Sequence, residues 1–365
     1  MKYYIIAGEA SGDLHAAALM ADIKRKDAEA EFRFWGGDNM QQQGGTLVKH
    51  IKDLAFMGFV EVLKNITTIL GNLAFCKKDI VQFAPHVIVF VDYPGFNLRI
   101  AKWAREQGYK TAYYISPQIW AWKENRVHDI KRDIDLMMCI LPFETEFYKR
   151  HNYTAHYVGH PLIKRIEQYQ QANLKRVLNK KVIALLPGSR LQEIEQKLPV
   201  MLRMVAVFPG YQFIIAQSPT LDAEIYYEYT KHFSNVSLVA DDTYGILNNA
   251  YAALVTSGTA TLETALFGVP QVVCYKGNKI SYAIAKQVVK VPYISLVNLI
   301  AGKKVVTELI QDELNDKQLE KELTMLLKDD ARRDMMLDYE EIKQNLQSGP
   351  HTKDAATLIL SLLGV

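Results

Sequence analysis

Short apolar runs rich in β-branched and aromatic residues alternate with longer stretches of helical period, and this pattern runs through the chain twice. The first half carries KYYIIAG, EFRFWG, HVIVFVD, KTAYYIS and LMMCIL; the second carries KVIALLPG, YQFIIAQ, NVSLVA, YAALVTSG and PQVVCY. Strands that alternate with helix-length segments are the sequence form of a parallel sheet, because parallel neighbours need a long crossover between them. The polar stretch HPLIKRIEQYQQANLKRVLNKK separates the halves. The fold class is therefore α/β, with two doubly wound domains expected over 1–164 and 165–339. A length of 365 residues agrees with two domains of about 150 each.

Composition matters here mainly for what it excludes. Lys and Arg total 43 against 40 Asp and Glu, a balance too even for a nucleic-acid footprint. Cys76, Cys139 and Cys274 form no C-x-x-C pair, so neither a disulfide framework nor a thiolate zinc site is indicated and the compartment reads as reducing. MKYYIIAGEA shows no cleavage pattern, and no run approaches the 18 or so apolar residues needed to span a bilayer. The expectation is a soluble cytoplasmic protein, with peripheral contact to a membrane left open.

Familiar nucleotide motifs fail. GEASGD lacks the G-x-G-x-x-G order, AGKKV lacks the first glycine and the Ser/Thr of a P-loop, and there is no G-x-S-x-G elbow. His151, His156 and His160 lie in an extended, interrupted segment that does not assure one ligand face, and Asp133-x-Asp135 precedes its strand and reads as a solvated turn. No metal and no cofactor are expected.

Open α/β sheets bind ligands at the carboxyl ends of their strands, so the loops there, facing a cleft between the domains, are where chemistry is expected. ALLPGSR ends a strand with Gly188, Ser189 and Arg190 before a helical pattern. Free N–H groups at a helix start together with a guanidinium suit an anion such as a diphosphate; a capped turn with an exposed arginine is the alternative. LVTSGTATLE runs through Ser257, Gly258 and Thr259 into a helix bearing Glu263, where hydroxyls suit phosphate and the carboxylate suits ribose hydroxyls. Here too the alternative is a capped helix.

The successive segments IIAGEASGD, LAFMGFVEVL, VDYPGFN, YYISPQIWAWKENRV, LLPGSR, LVTSGTATLE and VPYISLVNLIAG resemble, in order and spacing, the motifs of the lipid-A-disaccharide synthase family over nearly the whole chain. The resemblance implies a GT-B fold, two Rossmann-like domains facing a central cleft, with helices from about 340 to 365 returning to the N-terminal domain. It implies an enzyme that condenses UDP-2,3-diacylglucosamine with 2,3-diacylglucosamine 1-phosphate to the β-1′,6-linked disaccharide and UDP, without a catalytic metal. It places the nucleotide sugar on the C-terminal domain and the acceptor on the N-terminal one, at the inner-membrane surface, and suggests a homodimer.

Inversion at the anomeric carbon needs a base for the acceptor hydroxyl and positive charge for departing UDP. Asp92, which closes HVIVFVD and matches the family's essential aspartate, is the expected base; an N-cap or turn residue for the following helix is its alternative. Arg190 is the expected partner of the leaving group, and Asn298 in SLVNLIAG resembles the family's asparagine near the nucleotide, with an Asx turn as its alternative. GEASGD reads as a sugar-facing loop in which Glu9, Ser11 and Gly12 approach the substrate, while Asp13 serves the helix N-terminus. Phe56, Met57 and Phe59 around Gly58 suggest an acyl-chain or membrane contact, against the alternative of a core helix; Trp120 and Trp122 could be interfacial or interior. Tyr93 and Gly95 depart from the family's usual alanine and acid. A UDP-sugar 2-epimerase and a non-catalytic nucleotide-sugar-binding protein are the competing readings.

Overall fold

The computed structural model describes residues 1–54, 66–174, 181–278, 282, 286–287, 289, 291–347 and 353–365. The expected acyl-chain contacts Phe56, Met57 and Phe59 lie outside these residues. The chain divides into two units, Met1–Pro161 together with Ser348–Val365, and Leu162–Gln347.

The first unit is built on seven parallel strands, β1 Lys2–Ala7, β2 Glu31–Gly36, β3 Thr46–His50, β4 Val87–Val91, β5 Lys110–Tyr114, β6 Leu136–Cys139 and β7 Ala155–Tyr157. They lie in the order β3-β2-β1-β4-β5-β6-β7. Its principal helices are α1 Ala10–Lys26, α2 Ile66–Phe83, α3 Pro94–Glu106 and α4 Pro142–Arg150. Every residue of β4 is buried, the mark of a strand covered on both faces. Alternate side chains divide between two cores: Tyr3, Ile5, Val87 and Val89 face α1, while Tyr4, Ile6, Ile88 and Phe90 face α2 and α3. The Tyr4 hydroxyl donates to Asp79 at 2.8 Å and accepts from Trp35 Nε1 at 2.9 Å, so these three buried polar groups satisfy one another.

The second unit repeats the plan with six parallel strands, β8 Val182–Leu186, β9 Gln212–Gln217, β10 Val236–Ala240, β11 Ala250–Thr256, β12 Gln271–Tyr275 and β13 Thr307–Ile310. Their order is β10-β9-β8-β11-β12-β13. Helices α5 Pro161–Ala172, α6 Leu191–Val207, α7 Thr259–Leu266, α8 Leu296–Ala301, α9 Asp316–Leu326 and α10 Asp329–Gln347 cover it. Residues 340–347, expected to return to the N-terminal domain, stay with the second unit. Tyr339, Ile342 and Leu346 of α10 are buried in its core, and Gln271 Nε2 donates to the Tyr339 hydroxyl at 3.2 Å. The segment that does return carries α11 Ala355–Leu363, whose Ala356, Leu358, Ile359 and Leu360 join the core over α1.

Both sheets reverse their winding between two central strands, β1 and β4 in one and β8 and β11 in the other. Crossovers leave these pairs in opposite directions, so a crevice opens above their carboxyl ends. None of the described helices is long and apolar enough to cross a membrane.

Candidate active site

In the first unit the crevice lies between the loops that follow β1 and β4. Gly8 ends β1 and must be glycine, since a Cβ there would stand 2.3 Å from the Tyr93 ring. Asp92 and Tyr93 follow β4 with φ of 47° and 50°, two consecutive left-handed residues that are not glycine. Such a conformation costs about 1–2 kcal/mol per residue and persists only where neighbours enforce it. Here the Asp92 N–H donates to the Tyr114 carbonyl at 3.1 Å. Its own carbonyl accepts from the Tyr113 hydroxyl at 2.6 Å and from Asn97 Nδ2 at 2.7 Å. Pro94 then opens α3. The residue at the N-cap of the helix is Tyr93, and Asp92 lies one position before it, in the turn that is the other alternative for it.

The Asp92 carboxyl is half-buried; burial first, and the charge of Glu9 second, push it up to about 6. Glu9 and Asp92 are thus electrostatic neighbours across the switch point. Ser11 is exposed on the first turn of α1. Gly12 is buried there, where a Cβ would meet Ala7 Cβ at 3.4 Å and the Val91 carbonyl at 3.7 Å. Asp13, expected only to favour the helix start, is almost fully buried. It accepts from Gly37 N at 2.6 Å, Met40 N at 3.1 Å, Asn39 N at 3.1 Å and Asn39 Nδ2 at 2.7 Å, and so fixes the loop after β2.

In the second unit the loops after β8, β9 and β11 enclose a cavity of about 510 Å³. Gly188, Ser189, Arg190, Ser257, Gly258, Thr259 and Glu263 all line it, so the structure gathers two loops that lie 67 or more positions apart in the sequence. Gly188 and Gly258 have φ of 125° and 140°, which only glycine adopts without strain. Tyr244 donates its hydroxyl to Glu263 Oε1 at 3.1 Å, and burial raises the Glu263 carboxyl. Ser257 Oγ donates to the Ile294 carbonyl at 2.9 Å.

Residues not singled out in the sequence complete the wall. Glu193 at the third position of α6 accepts from the Ser189 N–H at 2.9 Å, and Gln217 ends β9 with Ser218 just after it. Ser218 and Thr220 hydroxyls each donate to the Ser189 carbonyl at 3.2 Å, joining the β8 and β9 loops. The small polar run SPT after an apolar strand was the available signal for that loop.

Asn298 does not face this cavity. It is fully buried, Oδ1 accepts from Val305 N at 2.8 Å and Val306 N at 2.9 Å, and Nδ2 donates to the Val306 carbonyl and Glu308 Oε1, each at 2.9 Å. With both polar atoms committed inside the fold, it braces the turn after α8. Asp133 is buried against Arg132, a departure from the solvated turn expected there, whereas Asp135 is exposed at the surface and accepts from Thr111 N at 3.0 Å. Trp120 donates to buried Glu144 at 3.1 Å, whereas Trp122 is half exposed.

A family model described as lipid-A-disaccharide synthetase matches residues 3–359. The lipid-A-disaccharide synthase of Myxococcus xanthus is 38% identical over 99% of this chain and 97% of its own. The chain belongs to the lipid-A-disaccharide synthase family. As a member it is a hexosyltransferase of lipid A biosynthesis. Solved structures with the same two-sheet architecture include the glycotransferase of kitacinnamycin, with TM-score 0.72 and 14% identity over 99% of both chains. Another is a UDP-GlcNAc 2-epimerase from Neisseria meningitidis bound to UDP-GlcNAc, with TM-score 0.64 and 12% identity over 100% of both. The synthase family thus shares the GT-B fold with enzymes of other chemistry, and it is the family membership that selects glycosyl transfer here.

Proposed function

We propose that the chain condenses UDP-2,3-diacylglucosamine with 2,3-diacylglucosamine 1-phosphate, inverting the anomeric centre and releasing UDP. The observation that carries this reading is the cavity at the β8/β11 switch point, where the Ser189–Arg190 helix start, the 257–259 loop and Glu263 line one space. Amides and a guanidinium suit a diphosphate, and a carboxylate held by Tyr244 suits ribose hydroxyls. A neighbour of the same fold is described as bound to UDP-GlcNAc, which agrees with a UDP-sugar in that cavity. In the first unit Asp92 acts as general base for the acceptor 6-hydroxyl, and Glu9 and Ser11 take sugar hydroxyls. Acyl chains call for apolar surface at a membrane, and the exposed Leu70, Phe75 and Val81 of α2 support peripheral association with the inner-membrane surface.

Incubating the purified chain with both substrates in detergent and measuring UDP and disaccharide tests the reading; UDP without disaccharide, or neither, rejects it. Arg190→Ala is expected to weaken UDP binding about tenfold or more, as loss of a charge-assisted contact does. Calorimetric titration with UDP checks this, and an unchanged affinity removes Arg190 from the site. Because Asp92 works as the ionised carboxylate and titrates near 6, kcat/KM should fall as pH drops through about 6 and level off above it. A profile flat from pH 5 to pH 7 would exclude a base with that titration.

A further inference from the structure

Behind two residues that line this cavity, Thr256 and Glu193, lies a buried cation with no place in the reaction as described above. Lys197, on α6, is 1% exposed. Its Nζ donates to Thr256 Oγ1 at the end of β11 and lies 3.6 Å from Glu193 Oε1. The other oxygen of Glu193 accepts from the Ser189 N–H at 2.9 Å and meets the Arg190 N–H at 3.4 Å. Glu193 also lies against Gly188, where a Cβ would come within 2.3 Å of Oε2. A continuous polar chain therefore runs from Thr256 through Lys197 and Glu193 to the amides of the β8 loop. The helix start that suits an anion already has one, supplied by the protein.

This raises an electrostatic difficulty. A diphosphate that enters here approaches a fixed carboxylate, and like charges a few ångströms apart repel strongly where water is excluded. Burial disfavours the charged form of Lys197, and the Glu193 carboxylate works against that by favouring it. A buried ammonium is tolerated only beside such a partner, and a lysine tethered to both loops has one evident use.

We propose that Lys197 is a positioning residue that neutralises Glu193 and draws it away from the Ser189–Arg190 amides when the donor's diphosphate arrives. Glu193 acts as a resident anion that keeps the loop formed while the site is empty. Lys197 receives the carboxylate on ligand binding, so the amides pass from one anion to the other without a net negative charge in the floor. The inference rests on the reading of this cavity as the donor site.

UDP titrated calorimetrically at low ionic strength into the full chain, K197M, E193Q and the double variant tests it. K197M removes the charge but keeps length and apolar bulk, and is expected to weaken UDP about tenfold or more. E193Q alone should bind UDP at least as tightly as the parent, since its amide oxygen still accepts from Ser189 while the floor becomes positive. The double variant should recover most of the loss. Rescue by removing the opposite charge is not expected of a lysine that only fills space, so failure of E193Q to rescue K197M overturns the proposal, as does parental affinity in K197M. If K197M does not fold, E193Q decides, and weaker binding than the parent rejects the idea. A parent chain that does not bind UDP at all overturns the donor-site reading, and this inference with it.

Discussion

Asp92→Asn is expected to lower turnover by about 10²–10⁴-fold, the usual contribution of a positioned general base, while UDP affinity stays within about threefold. Asparagine has the same size and tolerates the left-handed backbone at least as well as aspartate, so the strained turn held by Tyr113 and Asn97 survives the change. What disappears is the ability to take a proton. The variant should also lose a pH dependence of stability. The folded chain keeps the Asp92 proton up to about pH 6, whereas the unfolded chain releases it near the ordinary 3.8. The residue therefore favours folding at low pH, and that contribution is lost as pH rises through about 6. Steady-state rates with matched calorimetry separate the two effects. Parental turnover in Asp92→Asn would end its assignment as base.

Asp13→Ala should lower stability by about 3 kcal/mol or more in urea unfolding. Its carboxylate accepts from four N–H groups of the segment 37–40, three of them main-chain, and it is almost fully buried. Alanine would leave donors of Gly37 and Met40 without an acceptor in an interior position, and a buried donor left unpaired is penalised more than a bond is worth. Because Asp13 also belongs to the first turn of α1, loosening it should blur the placement of Glu9 and Ser11. A loss below about 1 kcal/mol would show that the loop after β2 is held by other means.

The central strands and the loops that follow β1, β4, β8 and β11 were legible because two physical demands coincide there. Strands covered on both faces must be apolar throughout, and the turns above them need glycine, at Gly8 because the Tyr93 ring comes close and at Gly188 and Gly258 because φ is positive. The edge strands β3, β7 and β13 were missed. TLVKH, AHY and TELI are short and mostly half-buried, and their membership is decided by main-chain pairing to a neighbour, which leaves little trace in side-chain pattern.

Charged and amide side chains misled for a related reason. Asp13 and Lys197 occupy helical positions that a one-dimensional reading assigns to solvent or to a cap, yet tertiary packing turns them inward. Asn298 shows the opposite case, a polar residue in a suggestive motif whose amide is engaged by the following turn and by Glu308 of β13. Whether a polar group meets a ligand or a neighbouring backbone depends on what lies above it, and that is set by segments distant in sequence.

The place of α11 bears on how the molecule is made. One face of the first sheet, with Val87, Val89, Ala112 and Met138, shares its core with Ala356, Leu358, Ile359 and Leu360, residues that a ribosome adds only after all of 162–347. The second unit is contiguous and can close as soon as it emerges. The first, although begun earlier, must wait with the part of an apolar sheet face that α1 leaves open, and so the order of completion is the reverse of the order of synthesis.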